Sequence, residues 1–579
     1  MISRTRSAAA ARVRQNPAKA SVASPAARPW KWIWLLLSGL ALTLFAFGPS
    51  LDAGFIFDDY HLPFADPHAG EMSARFWIGG VRPMLIATYW ANFLISGAKP
   101  VPYHAFNLIL HACTAVLVFF VFDRLLDLAG VKETRRWYAL FGAALYLVHP
   151  LQTESVDYVA GRSEEVAGFF FFAAWLAFLK SFESETHFGT VAAVLVLAGA
   201  AVLGKESAIS LPAVLIATDF YFAKNGLLPQ LRRRLKLYIP FVLGAIAGAA
   251  FILRGLSSTS AVGASSGASP LSYALTQCRV IPLYIRLFLI PVGQNGDWQL
   301  PFFHSLGADG AWFYVLLMAM LLAAVAWLYR RDRMASFGLL FFLLTLAPTS
   351  SVIPIKDALA ERRMYVPIAG LILTTLAVLL RARVNVNSPA VRFAGIAVLA
   401  AASVLSWRRS EVWQTEASFW RDAAQKNPAN ARAYYGLGVA LTKQGDCLRA
   451  ISAFETARAK DPKNPELLWD LATDYECIKK PELAVSLLRT FVAMRPGADA
   501  YDRIAYLEGT LGHVSPAMEA IDSALRLDPN DPTAYAYRGL AKIALNDPAG
   551  ADADFRHALD LDPHNATATK GLATLAGQQ

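Results

Sequence analysis

The chain has 579 residues, of which 55% are hydrophobic and only 17% charged, with a formal net charge of +10. An ordinary soluble domain carries about a quarter charged residues, so a single soluble globule, a disordered chain and a small disulfide scaffold are excluded and a polytopic membrane protein is expected. The charge is divided unevenly, +15 over residues 1–410 and −5 over 411–579; the basic excess sits in the apolar part and reads as membrane orientation, not as nucleic-acid binding.

Residues 1–31 form a basic tail with Arg4, Arg6, Arg12, Arg14, Lys19, Arg28 and Lys31 and no acid. By the positive-inside rule this tail is cytoplasmic, and the apolar run Trp32–Pro49 is an uncleaved first span. Further apolar stretches follow at about 105–127, 137–150, 165–182, 188–204, 207–223, 238–254, 311–329, 336–354, 364–380 and 391–407, each near the roughly 20 residues a bilayer core demands. Counting the first, about eleven spans are expected, which places the C-terminus outside. Lys132/Arg135/Arg136, Arg232–Arg234, Arg330/Arg331/Arg333 and Arg381/Arg383 fall on cytoplasmic sides of this topology, while Arg408/Arg409 do not. Pro83–Leu94 and Leu271–Pro291 are short or interrupted by charge and proline, and read as interfacial or re-entrant helices on the outer face. Gly255–Ser269 reads from its Gly and Ser content as a mobile outer loop.

From about Glu411 the composition turns soluble and mildly acidic. Asp461-Pro462, Arg495-Pro496, Asp528-Pro529 and Asp562-Pro563 recur at spacings of 34, 33 and 34 residues. Within the units, Tyr434, Leu437, Gly438, Ala450, Phe454 and Ala457, and later Tyr535, Gly539, Ala553 and Ala558, occupy the helix-packing positions of a tetratricopeptide repeat. Repeats are expected at about 431–464, 465–497, 498–531 and 532–565, with 411–430 as a half-repeat cap. Such a stack is an α-solenoid with a concave protein-binding surface. Cys447 and Cys477 fall at neighbouring helix ends of two repeats, where either a disulfide or two free thiols fit; Cys113 and Cys278 read as small apolar residues.

Ionisable residues near membrane depth are costly and mark function. On this topology five polar clusters return to the outer face. Asp58-Asp59 follows the first span within the aromatic run Phe55–Tyr60 and suits a general base. Arg82-Pro83 precedes Tyr103-His104, Asn107 and His111, the last three on one helical face. His149-Pro150, Thr153, Glu154, Gly161-Arg162 and Glu164 separate two apolar helices. Lys205-Glu206 sits in a tight turn, and Lys356, Asp357, Glu361, Arg362, Arg363 and Tyr365 precede a helix. Taken singly, each reads as a solvated loop pair, a helix-end charge or a hydrogen-bonded interhelical polar group.

The ordered set Phe57-Asp58-Asp59-Tyr60, Arg82-Pro83, Tyr103-His104-x-x-Asn107-x-x-x-His111, His149-Pro150-x-x-Thr153-Glu154, Gly161-Arg162, Lys205-Glu206 and Glu361-Arg362-x-x-Tyr365, with a terminal repeat array, resembles the transmembrane and tetratricopeptide-repeat O-mannosyltransferases and their bacterial relatives. The resemblance covers nearly the whole chain after residue 31. It implies an all-α protein, a membrane domain of the C-type glycosyltransferase fold over 32–410 followed by the repeat domain over 411–579. It also implies a polyprenyl-phosphate sugar donor and an acidic motif in the first outer loop. The basic tail and single hydrophobic cap point to a bacterial inner membrane, with the repeats periplasmic and a bacterial polyprenol such as undecaprenol in place of dolichol; the sugar is left open.

A lipid-phosphate sugar has a good leaving group, so it needs cations at the phosphate and no general acid. Arg82, Arg162, Lys205 and Arg362 are the candidates for that task. Asp58 is the expected base, with Asp59 as its orienting partner or the reverse, and the sugar inverts by analogy with inverting glycoside chemistry. His104, Asn107, His111, His149, Glu154, Glu206, Glu361 and Tyr365 are expected to line the site. A divalent cation at the aspartate pair is left open, since no third carboxylate is placed to complete its shell. The donor tail would lie in membrane lipid, and the repeats would hold a protein acceptor. Two other readings compete. A non-catalytic membrane-anchored scaffold would not need eleven spans, and a transporter would carry its ionisable residues near the midplane of two related halves.

Overall fold

A computed structural model describes residues 30–182, 187–224, 226–255 and 268–577. The basic tail through residue 29 and most of the loop Gly255–Ser269 lie outside the described residues. Within them the chain is all helical and without strands.

The first sixteen helices are α1 (Trp30–Phe47), α2 (Ala74–Trp77), α3 (Pro83–Ser96), α4 (Pro100–Leu128), α5 (Arg135–Val148), α6 (Thr153–Val156), α7 (Arg162–Lys180), α8 (Phe188–Gly204), α9 (Leu211–Phe222), α10 (Leu227–Arg233), α11 (Leu235–Gly255), α12 (Pro270–Leu289), α13 (Ala311–Arg331), α14 (Arg333–Leu346), α15 (Ile368–Arg381) and α16 (Pro389–Val412). Ile33–Asp52, Pro100–Leu128, Ala311–Arg331 and Pro389–Val412 are long and apolar enough to cross a membrane. Proline at the first turn starts α3, α4, α12 and α16, where its missing N–H would have no helical partner anyway. The apolar stretch 207–223 is less regular than the sequence implies. It opens with a 3-10 turn, Glu206–Ser210, before the 12-residue α9. The stretch 336–354 likewise stops being helical at Leu346, two residues before Pro348, which has no N–H to continue the helical hydrogen bonds. The interrupted stretch 271–291 is nevertheless one 20-residue helix, α12, with Pro282 inside it.

One apolar core joins these helices: Phe122 and Leu125 of α4, Tyr146 of α5, Trp175 of α7, Phe341 of α14 and Leu376 of α15 are all fully buried in it. α14 and α15 cross so closely that a Cβ on Gly338 would overlap the Gly370 carbonyl oxygen. This is the small-residue device by which membrane helices pack backbone to backbone.

The remaining helices form antiparallel pairs. α17 (Glu416–Lys426) is a single cap helix. α18 (Ala431–Lys443) pairs with α19 (Cys447–Lys460), α20 (Glu466–Cys477) with α21 (Pro481–Met494), α22 (Ala498–Thr510) with α23 (Val514–Leu527) and α24 (Pro532–Ala544) with α25 (Pro548–Leu561), and α26 (Ala566–Gly577) closes the stack. Gly438 and Gly539 pack directly on the rings of Phe454 and Phe555, with no room for a Cβ. That close approach is why the repeat keeps a small residue opposite a large one. Cys447 and Cys477 are joined by a disulfide, with their Cα atoms 6.3 Å apart.

Candidate active site

The loop that follows α1 separates the two aspartates. Asp59 is fully buried. One of its carboxylate oxygens accepts the Ile56 N–H at 3.1 Å and the other accepts the Ala160 N–H at 2.7 Å. These two bonds favour the carboxylate, but burial outweighs them and pushes the group up to about 7. Asp58 is exposed, and its backbone N–H donates to the Tyr158 hydroxyl at 2.9 Å. Of the pair, Asp58 is therefore the carboxylate that faces outward, and Asp59 is the peg that fastens the loop to residue 160. Gly161 makes that fastening feasible, because a Cβ there would overlap the Glu154 carbonyl oxygen.

The expected cations divide into two kinds. Arg82 and Arg362 are half-buried and Lys205 is largely buried, each against one carboxylate. Arg82 grips Glu206 through two bonds, at 2.9 and 2.5 Å. Lys205 donates to Glu164 at 2.7 Å. The Arg362 guanidinium pairs with Glu154, whose other oxygen accepts the Arg362 backbone N–H at 2.9 Å. The three pairs are neighbours. Lys205 feels Glu164, then Arg82 and Arg362, although burial is the largest influence and lowers it. Tyr158 in turn feels Asp59, Asp58 and Arg362, so the row reaches the aspartate loop.

Arg162 is placed elsewhere. It is fully buried, its guanidinium donating to the side-chain oxygens of Asn107 and Asn92, both at 2.7 Å, and to the Tyr103 carbonyl at 2.9 Å, while stacking on Tyr89 and Phe106. The expected phosphate ligand Arg162 is thus buried, and its guanidinium joins α3, α4 and α7.

The other expected lining residues are also mostly interior. His111 bonds the Tyr365 hydroxyl at 3.0 Å and the Leu147 carbonyl at 2.9 Å. His149 accepts the Leu151 N–H and meets the Phe288 carbonyl at 3.0 Å. Asn107 donates to the Val156 carbonyl, and His104 is buried beside it on α4. Glu361 is buried, and burial raises its pKa. It accepts from Gln294, the Asn295 backbone and the Trp298 indole at 2.7, 2.7 and 3.0 Å. These residues hold the walls of the site in place, whereas Asp58, Arg82, Lys205, Glu206 and Arg362 form its surface. No cluster of three or more His, Cys, Asp or Glu suited to a metal occurs among the described residues.

Sequence reasoning missed the contact with the repeats. Phe57 has φ 51°, an uncommon backbone conformation for a non-glycine residue. Its ring lies 6.3 Å from Tyr158, 6.0 Å from Phe419 and 5.3 Å from Trp420. The cap helix α17 thus packs on the aspartate loop. Arg432 of the first repeat pairs with Asp297 and Asp357, and Arg409 with Asp422. The aromatic run Trp413-x6-Trp420 was the available signal, as it interrupts the change to soluble composition.

Family models described as tetratricopeptide repeat match residues 416–465 and 498–531. The chain is 24% identical to human protein O-mannosyl-transferase TMTC3, over 90% of this chain and 64% of that protein. It is 24% identical to mouse protein O-mannosyl-transferase TMTC4, over 74% and 66%, and 28% identical to protein O-mannosyl-transferase Tmtc2 of Drosophila melanogaster, over 48% and 32%. The relatives matched over most of the chain are thus those the motif order resembles, and the chain spans somewhat less than two thirds of the length of human TMTC3. Among solved structures, MamA matches at 22% identity over 26% of this chain and 88% of that one, with TM-score 0.25. YrrB, a tetratricopeptide-repeat protein with an unusual peptide-binding site, matches at 21% over 30% and 86%, with TM-score 0.26.

Proposed function

We propose that the chain is a membrane glycosyltransferase. It moves a sugar, mannose in its relatives' names, from a polyprenyl-phosphate donor to a hydroxyl of a protein acceptor on the extracytoplasmic face of a bacterial inner membrane. The observation that supports this reading is one exposed carboxylate, Asp58, on a loop bonded to Tyr158, which also feels Arg362, in a chain whose cations Arg82, Lys205 and Arg362 are each paired with a carboxylate.

Asp58 accepts the proton of the acceptor hydroxyl as oxygen attacks the anomeric carbon, and the lipid phosphate leaves from the opposite face with inversion. The cations stabilise the charge that grows on the departing phosphate. Their carboxylate partners keep them in place while the site is empty, and the phosphate competes for the same N–H donors when it arrives. Asp59 orients the loop and takes no proton from the acceptor. The repeats, seated on the loop through Phe419 and Trp420, present the acceptor polypeptide.

The test is sugar transfer by purified full-length protein with polyprenyl-phosphate-linked sugar and a hydroxyl-bearing acceptor peptide. Asp58→Asn is expected to reduce the rate by at least about a hundredfold at unchanged melting temperature. Full activity of Asp58→Asn would remove it as the base. Equal loss in a variant lacking the repeats, with small-molecule acceptors unaffected, would assign the array to acceptor capture alone.

A further inference from the structure

At the far end of the helices from the aspartate loop the wall of the membrane domain is indented. A groove of about 620 Å³ runs between the start of α5, the end of α15 and the start of α16, a size within the range of small-molecule sites. Its lining is almost entirely carbon, including Trp137, Phe141, Leu379, Ile396 and Leu399. Trp137 is 50% and Ile396 67% exposed. Gly395 forms part of the floor, where a Cβ would sit in ordinary contact with Phe141. The groove is therefore open, not collapsed. It is remote from the proposed site: α5 carries the groove at Trp137 and reaches His149 only after its whole length, about 20 Å on at 1.5 Å per residue.

The mouth of the groove is cationic. Arg392 lines it, lying over the Trp137 ring at 5.0 Å while donating to Val386 and Asn387. Arg136 and Arg383 are exposed and precede the lining residues Trp137 and Val384 in sequence, outside the lining itself. Of the neighbouring acids, Asp123 and Asp127 accept from Arg135, and the single exposed Glu133 stands three residues before Arg136. No acidic residue occurs between Glu361 and Glu411. A carbon-lined slot with a net positive mouth, Arg136, Arg383 and Arg392 against Glu133, set in a membrane wall, matches an acyl chain that ends in an anionic headgroup. The basic tail of this same chain would be repelled by that mouth, and a zwitterionic lipid would gain little from it.

We propose that this groove is a binding site for an anionic phospholipid, with one acyl chain along Trp137, Phe141 and Ile396 and the phosphate at Arg392, Arg383 and Arg136. It is separate from the donor site and rests only on the chain lying in a bilayer. The test uses full-length protein in nanodiscs of equal phosphatidylglycerol and phosphatidylcholine, followed by mass spectrometry of the lipid that stays bound after detergent extraction. Wild type is expected to retain phosphatidylglycerol over phosphatidylcholine by about fivefold or more, from the roughly 1 kcal/mol each basic residue gives near an anionic headgroup. Arg383→Gln/Arg392→Gln is expected to bring the ratio to about one. Gly395→Leu, which fills the floor, is expected to lower the amount retained, and Arg82→Gln is expected to leave both unchanged. Equal retention of the two lipids by wild type would overturn the proposal. So would a preference that survives both groove variants, or one lost in Arg82→Gln, which would place the anion at the outer cations instead.

Discussion

Asp59 makes the stability of the protein depend on pH with a known sign. The folded chain holds its carboxyl buried and raised to about 7, from 3.8 when unfolded. The folded state thus binds this proton more tightly than the unfolded chain does. The contribution is greatest below about pH 4, declines as pH rises between about 4 and 7, and is flat above. A shift of about three pH units at about 1.4 kcal/mol each amounts to roughly 4 kcal/mol. Asp59→Asn removes the titration. It also exchanges one acceptor oxygen for an amide that cannot receive both the Ile56 and Ala160 N–H groups, a constant loss of about 1–3 kcal/mol. The measurement is thermal unfolding of the full chain in detergent from pH 4 to 8, read as wild type minus Asp59→Asn, so that other titrating groups cancel. The variant is expected to be less stable at pH 4 and to match or exceed wild type at pH 8. A difference that does not change with pH, or that changes in the opposite direction, would refute the assignment of Asp59 as a buried peg.

Arg162→Met leaves two buried asparagine oxygens and one backbone carbonyl without their charged donor. At about 1.5–3 kcal/mol per charged hydrogen bond, a loss on the order of 5 kcal/mol is expected, seen as failure to accumulate folded protein or a large fall in melting temperature. A normally stable variant defective only in donor binding would place Arg162 at the phosphate site. The Cys447–Cys477 disulfide closes a loop of 30 residues, which on a chain-entropy basis stabilises the array by roughly 3–4 kcal/mol. Reduction is expected to lower the melting temperature of wild type and not of Cys447→Ala/Cys477→Ala, and maleimide labelling of both cysteines in unreduced protein would contradict it.

What could be read from sequence was what a short window determines. The 33–34-residue period announces the repeats because each hairpin repeats its own packing, Gly438 on Phe454 and then Gly539 on Phe555. Proline marks the starts of α3, α4, α12 and α16 for a reason local to the first turn. The division of labour within the polar clusters was not legible, because it is decided by distant residues. Asp58 and Asp59 are neighbours with the same side chain, and the buried one is held by the Ile56 N–H together with the Ala160 N–H, 101 positions away. Arg162 has the sequence context of a phosphate ligand, yet Asn92, 70 positions earlier, binds its guanidinium in the interior. His111 and Tyr365, paired across 254 positions, could be foreseen as polar residues needing partners but not as partners of each other.

The Glu361-Arg362 dipeptide connects the two halves of the chain. Its first residue faces the loop 294–298, accepting from Gln294, Asn295 and Trp298. That loop carries Asp297, which binds Asn430 at the N-cap of α18 and Arg432 of the first repeat. The second residue faces the site and pairs with Glu154. A displacement of the first repeat therefore reaches Arg362 through one loop and one peptide bond. It reaches Asp58 by a separate path, because Phe57 holds its left-handed backbone conformation against Phe419 and Trp420 of the cap helix. Such a conformation costs about 1–3 kcal/mol and persists only where its surroundings impose it. Asp58 and Arg362 are thus both set by the seating of the same two helices, α17 and α18. Under the proposed function, an acceptor that shifts the first repeat changes the distance between the attacking and leaving sides of the reaction, so acceptor capture and catalytic alignment are one event and not two.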